Sequence, residues 1–423
     1  MLMRRFVVRY AAVLLAAFAP AAFASSPELI QKGEYLARAG DCVVCHTAPG
    51  ERPFAGGLKM ATPLGAIYTS NITPDKETGI GDYSFDDFDR AVRQGVAKDG
   101  HHLYPAMPYP SYAKVSDDDL RALYAFFMES VQPAKRANQP SEIKAPLNQR
   151  WPLVLWNVAF TDAIGYRPDP DHDERWNRGA YLVQGLGHCG SCHTPRGLFF
   201  QEKALDESGS AYLQGGELDN WFASNLRGDP SGGLASWSEA DIAAFLKSGH
   251  NAHATAYGTM IDAVNNSTQY LTDDDLGAMA AYLKSLPALE KPMTAGAAAQ
   301  GAGSPGARLY QQQCAACHLA DGTGHAPYIP PLAGVPTMLD RDPVSLINIT
   351  LNGSSRIVVD GMPDAYRMPQ YRVLLTDRNI ADLVTFMRDS WGVPGTGVTA
   401  EQVAKVRAAT DAASDAVVIL KMR

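Results

Sequence analysis

A pentapeptide of the form Cys-x-x-Cys-His occurs three times in this chain: Cys42-Val43-Val44-Cys45-His46, Cys189-Gly190-Ser191-Cys192-His193 and Cys314-Ala315-Ala316-Cys317-His318. The three copies use all six cysteines. Residues three apart share one side of a helical turn, so both thiols of a copy can reach one flat ligand while the next residue points at its centre. Cys-x-x-Cys-His is the attachment pattern of a c-type haem. The thiols add across the porphyrin vinyl groups, and the His is held under the iron. Three disulfides would also consume six cysteines, but they give no reason for a His after every second Cys. Structural zinc takes four ligands, and each copy offers three. The motif therefore predicts three covalently bound haems c, attached through Cys42, Cys45, Cys189, Cys192, Cys314 and Cys317, with His46, His193 and His318 as proximal iron ligands.

The motif lies inside a larger unit that also recurs, and internal repeats decide architecture before anything else does. A glycine-bearing helical stretch precedes each copy: Gly33-Glu34-Tyr35-Leu36, Gly179-Ala180-Tyr181-Leu182 and Gly306-Ala307-Arg308-Leu309. In the first, Ser26 stands at a cap position and Pro27 at the first helical position. Gly within a helix is less favourable than Ala by about 1 kcal/mol. Its presence predicts close approach of another backbone, and the helix that closes each unit is the expected neighbour. Those closing helices start at Ser116-x-x-Asp119, Thr272-x-x-Asp275 and Thr376-x-x-Asn379, which are cap-type beginnings. Each continues with apolar residues on one helical face: Leu120, Leu123, Tyr124 and Phe127; Leu276, Met279, Ala280 and Leu283; Ile380, Leu383, Val384 and Met387. A middle helix is predicted from a cap to a stop glycine, in the pairs Ser84 to Gly95, Ser238 to Gly249 and Asp342 to Gly353. Ser70-Asn71-Ile72 and Ser224-Asn225-Leu226 extend the likeness of the first two units. Three small all-α domains follow, over residues 25–132, 174–286 and 305–392.

The connections differ from one another. Residues 133–173 hold Pro, Asn and Asp together with Trp151 and Trp156, which predicts a linker packed along a neighbour. Residues 287–304 are Ala-, Gly- and Pro-rich, the composition of a flexible connection. The tail, residues 393–423, ends in Val417-Val418-Ile419-Leu420 with Lys421 and Arg423. It is read either as an amphipathic helix folded back on the protein or as a partner or membrane contact. Residues 1–24 have the form of a secretory signal peptide: Arg4, Arg5 and Arg9, an apolar run from Tyr10 to Ala19, and Ala22-Phe23-Ala24 before the cleavage point. The competing reading is an uncleaved anchor, but the apolar run is shorter than the roughly 20 residues a span needs. The formal charge is −8, and −11 without residues 1–24, which carry three Arg and no acid. Such a balance excludes nucleic acid as a partner, since phosphate contacts demand clustered Lys and Arg.

The sixth iron ligand decides the chemistry, because Met there favours electron transfer whereas an open position permits ligand binding or turnover. Met107 stands between Pro105-Ala106 and Pro108, nine residues ahead of Ser116. Met368 precedes Pro369, eight residues ahead of Thr376, while Met362-Pro363 has the same form but comes too early. Met260, twelve residues before Thr272, lacks a following proline, and His250 and His253 compete with it. His101, His102 and His325 are further loop histidines, and Arg196 stands either against a haem propionate or free on the surface. No dinucleotide fingerprint, phosphate loop or nucleophile elbow is present. No catalytic residue is therefore expected.

Four stretches carry a family likeness: residues 33–42, Asn71-Ile72-Thr73-Pro74-Asp75, Leu103-Tyr104-Pro105-Ala106-Met107-Pro108-Tyr109 and Asn177-Arg178-Gly179-Ala180-Tyr181-Leu182. They resemble the three-haem cytochrome c subunit of bacterial membrane-bound periplasmic dehydrogenases, a group acting on alcohols, gluconate, sorbitol, fructose and some aldehydes. The resemblance implies three tandem class I cytochrome c-like domains and a role as electron conduit on the periplasmic side of the cytoplasmic membrane. It implies a separate large subunit carrying a flavin, a pyrroloquinoline quinone or a molybdenum cofactor, with room for a small third subunit and with ubiquinone as acceptor. It carries over His46, His193 and His318 as proximal ligands and Met107 and Met368 as distal ones, while Met260 departs from the Met-Pro form. Two other readings stay open: a multi-haem enzyme such as a peroxidase, and a free-standing carrier to a terminal oxidase.

Overall fold

A computed structural model describes residues 25–289 and 303–414, with 420 and 422. The signal-peptide expectation, most of the 287–304 connection and the Val417–Ile419 stretch lie outside the described residues. The chain forms three tandem helical units. In the first, the opening helix Pro27–Ala39 leads into the motif turn Cys42–Cys45, the middle helix Phe85–Gln94 and the closing helix Asp117–Glu129. The second repeats this order with Glu174–Gln184, Gly190–His193, Glu239–Ser248 and Asp273–Ser285. The third does so with Pro305–Gln313, Ala315–His318, Val344–Asn352 and Asp377–Trp391. Each unit also carries a small antiparallel hairpin that helical periodicity does not announce: Lys59–Thr62 with Gly65–Tyr68, Gly216–Leu218 with Trp221–Ala223, and Val358–Val359 with Met362–Pro363.

Local chemistry sets the helix ends. The Ser26 hydroxyl accepts from the Leu29 amide, with Pro27 in the first turn. Reciprocal capping boxes start the middle helices at Ser84 with Asp87 and Ser238 with Asp241, and the last closing helix at Thr376 with Asn379. Gly95 and Gly249 end their helices in the left-handed conformation, at φ 64° and 73°. The third middle helix departs from the expected pattern. It begins at Val344, after Pro343, and Asp342 contributes from outside by accepting from the Val344 amide.

The opening-helix glycines meet the neighbour expected of them. A Cβ on Gly33 would lie 2.0 Å from the Ala122 carbonyl oxygen, one on Gly179 2.0 Å from that of Ala278, and one on Gly306 2.1 Å from that of Asp382. In each unit the opening and closing helices therefore cross backbone to backbone, a separation that only glycine allows.

Units one and two share one continuous core, in which Leu36, Phe126, Leu182, Tyr282 and Leu283 are fully enclosed. A reciprocal pair of hydrogen bonds ties them. Tyr35 of the first opening helix donates to Asp275 at the start of the second closing helix, at 2.5 Å. Tyr181 of the second opening helix donates to Asp119 at the start of the first closing helix, at 2.6 Å. Each hydroxyl also accepts from a cap amide of the other unit, Thr272 and Ser116 respectively. A cation of the home unit completes each carboxylate: Arg178 on Asp275 and Lys32 on Asp119. This is the pattern of an isologous contact, in which residue i meets j and j meets i. Unit three has Arg308 where the others have Tyr35 and Tyr181, and Asn379 where they have the aspartates. It keeps a core of its own around Tyr310, Ile380 and Val384. It joins unit two through Val358 with Asn265 and Gln269, and through Ser345 with Phe222.

The 133–173 connection contains a helix that the sequence does not signal, Pro152–Phe160. Trp156 donates its indole N–H to the Phe199 carbonyl and stands edge-on to Tyr109, as expected of a packed linker, whereas Trp151 is 68 % exposed. In the tail, helix Ala400–Ala409 folds back on unit three, with Val403 and Val406 buried and Arg407 bonded to Asp377 and the Leu375 carbonyl. Leu420 and Met422 are held against the first two units, Leu420 through Arg38 and Asn266. Among the described residues no helix is long and apolar enough to cross a membrane.

Three candidate haem sites

Each motif histidine is oriented in the same way. His46 Nδ1 donates to the Ser70 carbonyl at 2.7 Å, His193 Nδ1 to that of Ser224 at 2.7 Å, and His318 Nδ1 to that of Pro330 at 3.1 Å. A carbonyl only accepts, so Nδ1 carries the proton and Nε2 keeps a free lone pair. That is how a ligating imidazole is held by its surroundings. Burial pulls all three histidines below their ordinary pKa, which keeps the rings neutral and able to coordinate. Burial likewise pushes the thiols of Cys42, Cys45, Cys189 and Cys314 up to about 12, and that of Cys192 to about 11. Among the described residues no cluster of three or more His, Cys, Asp or Glu is placed to hold a bare metal ion. Two thiols on one turn and an imidazole with Nε2 free fit a covalently attached haem, which would supply the iron and its one-electron chemistry.

Around the third motif an apolar cavity is bounded by Cys314 and His318 on one side and by Leu346, Met368, Leu383 and Met387 on others. Met368 is fixed by its main chain: its amide donates to Ser354 Oγ at 3.0 Å, and its carbonyl accepts from the Ser354 amide at 3.0 Å. Gly353 makes this clamp possible, since a Cβ there would lie 2.5 Å from the Met368 carbonyl oxygen. Met362, the earlier Met-Pro pair, sits in a hairpin and is 73 % exposed.

Met107 occupies a tight turn, its amide bonded to the Tyr104 carbonyl and its carbonyl to the Tyr109 amide. Met260 differs from the expected loop position, because it is the first residue of the short helix Met260–Asn266. The surroundings still correspond. Gly95 is followed by a bridge between Val96 and His102, and Gly249 by a bridge between His250 and Thr255. Met107 comes twelve residues after the first glycine and Met260 eleven after the second. Both are half-buried against the shared core.

The rival histidines are engaged elsewhere. His250 Nε2 lies 2.7 Å from Asp364 of unit three and its Nδ1 lies 3.3 Å from Thr255 Oγ1. His253 stacks on Trp237, with Nε2 3.5 Å from Asp241. His101 bonds Asp99, His102 contacts Asn157, and His325 is exposed beside a backbone bridge to Ile329. Arg196 is neither free nor aimed outward. It donates to the Ser191 and Phe200 carbonyls and approaches Glu202.

Two sets of contributors escape motif reading. The carbonyls of Ser70, Ser224 and Pro330 act through the main chain, which leaves no side-chain signature. The likeness of Ser70-Asn71-Ile72 to Ser224-Asn225-Leu226 was the available signal for the first two. The Tyr35 and Tyr181 hydroxyls look like ordinary amphipathic-helix residues until the partner unit is placed beside them.

The cytochrome c family model matches residues 177–287 and 304–391. The chain is 51 % identical over 394 residues to the gluconate 2-dehydrogenase cytochrome c subunit of Pantoea cypripedii, covering 90 % of this chain and 89 % of that one. It is 47 % identical over 425 residues to the alcohol dehydrogenase (quinone) cytochrome c subunit of Gluconacetobacter polyoxogenes, covering 96 % and 91 %. It is 37 % identical over 411 residues to the fructose dehydrogenase cytochrome subunit of Gluconobacter japonicus, covering 90 % and 82 %. With three oriented histidines beside three Cys pairs, and likeness running the length of such relatives, this chain belongs to the family of cytochrome c subunits of multi-subunit dehydrogenases.

Proposed function

We propose that the chain relays single electrons from the catalytic large subunit of a dehydrogenase to ubiquinone, through three haems c held in residues 25–132, 174–286 and 305–392. His46, His193 and His318 are the proximal ligands in this reading, and Met107, Met260 and Met368 the distal ones. The observation that carries it is the threefold repeat of one arrangement: a Cys pair, and a neutral His whose Nδ1 is tied to a main-chain carbonyl. The bonds that occupy His250 and His253 support Met260 as the second distal ligand. A closed iron suits relay and leaves no substrate site, so oxidation of the donor belongs to another subunit. The relatives named for quinone support ubiquinone as acceptor.

The contact between the first two motif turns supports a direct step between their haems. Tyr112 donates to the Gly40 carbonyl at 2.9 Å and stands edge-on to His188, and Leu186 abuts Gly40. Work at the periplasmic membrane surface is supported by helix Pro152–Phe160, which has no buried residue and one polar side chain, Asn157. Val158 on it is 81 % exposed, and Leu198, next to Phe199 on which the helix rests, is 94 % exposed. An apolar surface of that kind fits the boundary of a bilayer, where ubiquinone is found. The test is purification in mild detergent followed by addition of donor substrate and a ubiquinone analogue. The reading expects a large cofactor-bearing subunit to co-purify, three haems per chain to become reduced by substrate, and all three to reoxidise with quinone. Cyanide or peroxide binding at the second haem of the native protein would overturn the closed-iron assignment.

A further inference from the structure

The second site differs from the other two in what stands behind its histidine. Ser224, whose carbonyl accepts from His193 Nδ1, donates its hydroxyl to Asp340 Oδ2 at 2.8 Å. Asp340 belongs to unit three, follows the short helix Pro336–Leu339, and is 5 % exposed. In the first unit the corresponding Ser70 is exposed, and in the third Pro330 has no hydroxyl to offer. A buried carboxyl from one domain thus lies two hydrogen bonds from the histidine of its neighbour.

The charged and titratable groups around Asp340 come from several elements. Arg388 of the closing helix donates to the Asp340 main-chain carbonyl at 2.8 Å, to Thr396 and to the Arg341 carbonyl. Asp342 adds negative charge from the same loop. The Tyr257 hydroxyl, from unit two, is buried nearby and bonded to Thr337. Burial pushes Asp340 up to about 8, against the opposing pull of the Ser224 hydroxyl and the Arg388 charge.

We propose that Asp340 is a positioning residue that, through Ser224, couples electron arrival at the second haem to uptake of a proton. The inference rests on the reading of His193 as an iron ligand. Ionised Asp340 places negative charge behind the histidine and favours the oxidised, more positive site; neutral Asp340 does not. When one electron from the dehydrogenase subunit enters the second site, Asp340 takes up a proton from solvent, and it releases that proton when the electron leaves toward quinone. A negative charge lowers the potential, so the potential of the second site falls as pH rises through the Asp340 transition.

The test is a spectroelectrochemical titration of the three-haem protein at pH values below and above 8. The expected result is one midpoint potential of three that falls with pH, and loss of that fall in Asp340→Asn, whose potentials match the native ones at low pH. Asn mimics the neutral acid, so a purely structural role would shift the potential equally at every pH. Ser224→Ala keeps the carbonyl on His193 and is expected to weaken the pH response without loss of haem. A pH response unchanged in both variants, or a pH-independent offset in Asp340→Asn, overturns the inference. Haem content measured on the same samples separates this from failure of the haem reading, which would leave His193→Ala with the same spectrum as the native protein.

Discussion

Replacing Gly179 by Ala sets two effects of opposite sign against each other. On helix propensity alone the change should stabilise by about 1 kcal/mol. The structure places the new Cβ 2.0 Å from the Ala278 carbonyl oxygen and 2.9 Å from Tyr282 Cβ, whereas ordinary contact begins at 3.4 Å. The carbonyl is locked in the closing-helix ladder and cannot swing away, so the helices must part by more than 1 Å, taken from those contacts. Overpacking of this kind destabilises by about 1–3 kcal/mol, and with rigid backbone as the obstacle the upper part of that range applies. The net expectation is a loss of about 1–2 kcal/mol after the propensity gain. Guanidinium unfolding of the holoprotein, followed by the return of tryptophan fluorescence as the haems move away, measures it. Gly33→Ala and Gly306→Ala should behave alike, since their obstacles are the Ala122 and Asp382 carbonyls. A midpoint raised or unchanged in all three variants would refute the backbone-contact argument.

Tyr35→Phe and Tyr181→Phe each remove one arm of the reciprocal bond to Asp275 and Asp119, and bonds to charged groups are worth about 1.5–3 kcal/mol. The double variant should loosen the first two units from each other, read as faster amide exchange at Ser116 and Thr272; unchanged exchange would contradict this. Asp275 is pushed up by burial, but the Arg178 and Tyr35 hydrogen bonds outweigh that and hold it below the ordinary carboxylate range. Its contribution to stability is therefore complete above the unfolded value of about 4 and disappears as pH falls through the folded value. Acid unfolding curves should show this loss in the native protein and not in Asp275→Asn. Met260→Ala should abolish one third of the weak Met-to-iron charge-transfer absorbance and open that haem to cyanide. Met362→Ala, at an exposed hairpin, should change neither.

The haem attachments were legible because the chemistry demands fixed residue types at fixed spacing, and the helices because caps and glycines mark their ends. The glycine at 33, 179 and 306 even named its neighbour, since a helix tolerates it only where another backbone comes close. Helix Pro152–Phe160 was not legible: apolar on nearly every side, it lacks the one-faced stripe that identifies a packed surface helix. The third middle helix starts one residue later than a cap at Asp342 predicts, because Pro343 stands at the cap position and Asp342 accepts from the Val344 amide from one residue further out. The pairing of the first two units, and the contact between Ser224 and Asp340, join residues 62 or more positions apart. Local pattern carries no such information. Tyr35 and Tyr181, matched with Asp275 and Asp119, form a code that Arg308 and Asn379 break.

In the proposed relay, three closed haem sites on this chain carry electrons between a dehydrogenase subunit and quinone. Rapid mixing of the substrate-reduced complex with a ubiquinone analogue, with haem absorbance followed in time, is the decisive measurement. The expected result is reoxidation of three haems per chain at a rate that matches steady-state turnover, slowed when Met260 or Met368 is replaced by Ala. Turnover with quinone that continues while the haems stay reduced would contradict it.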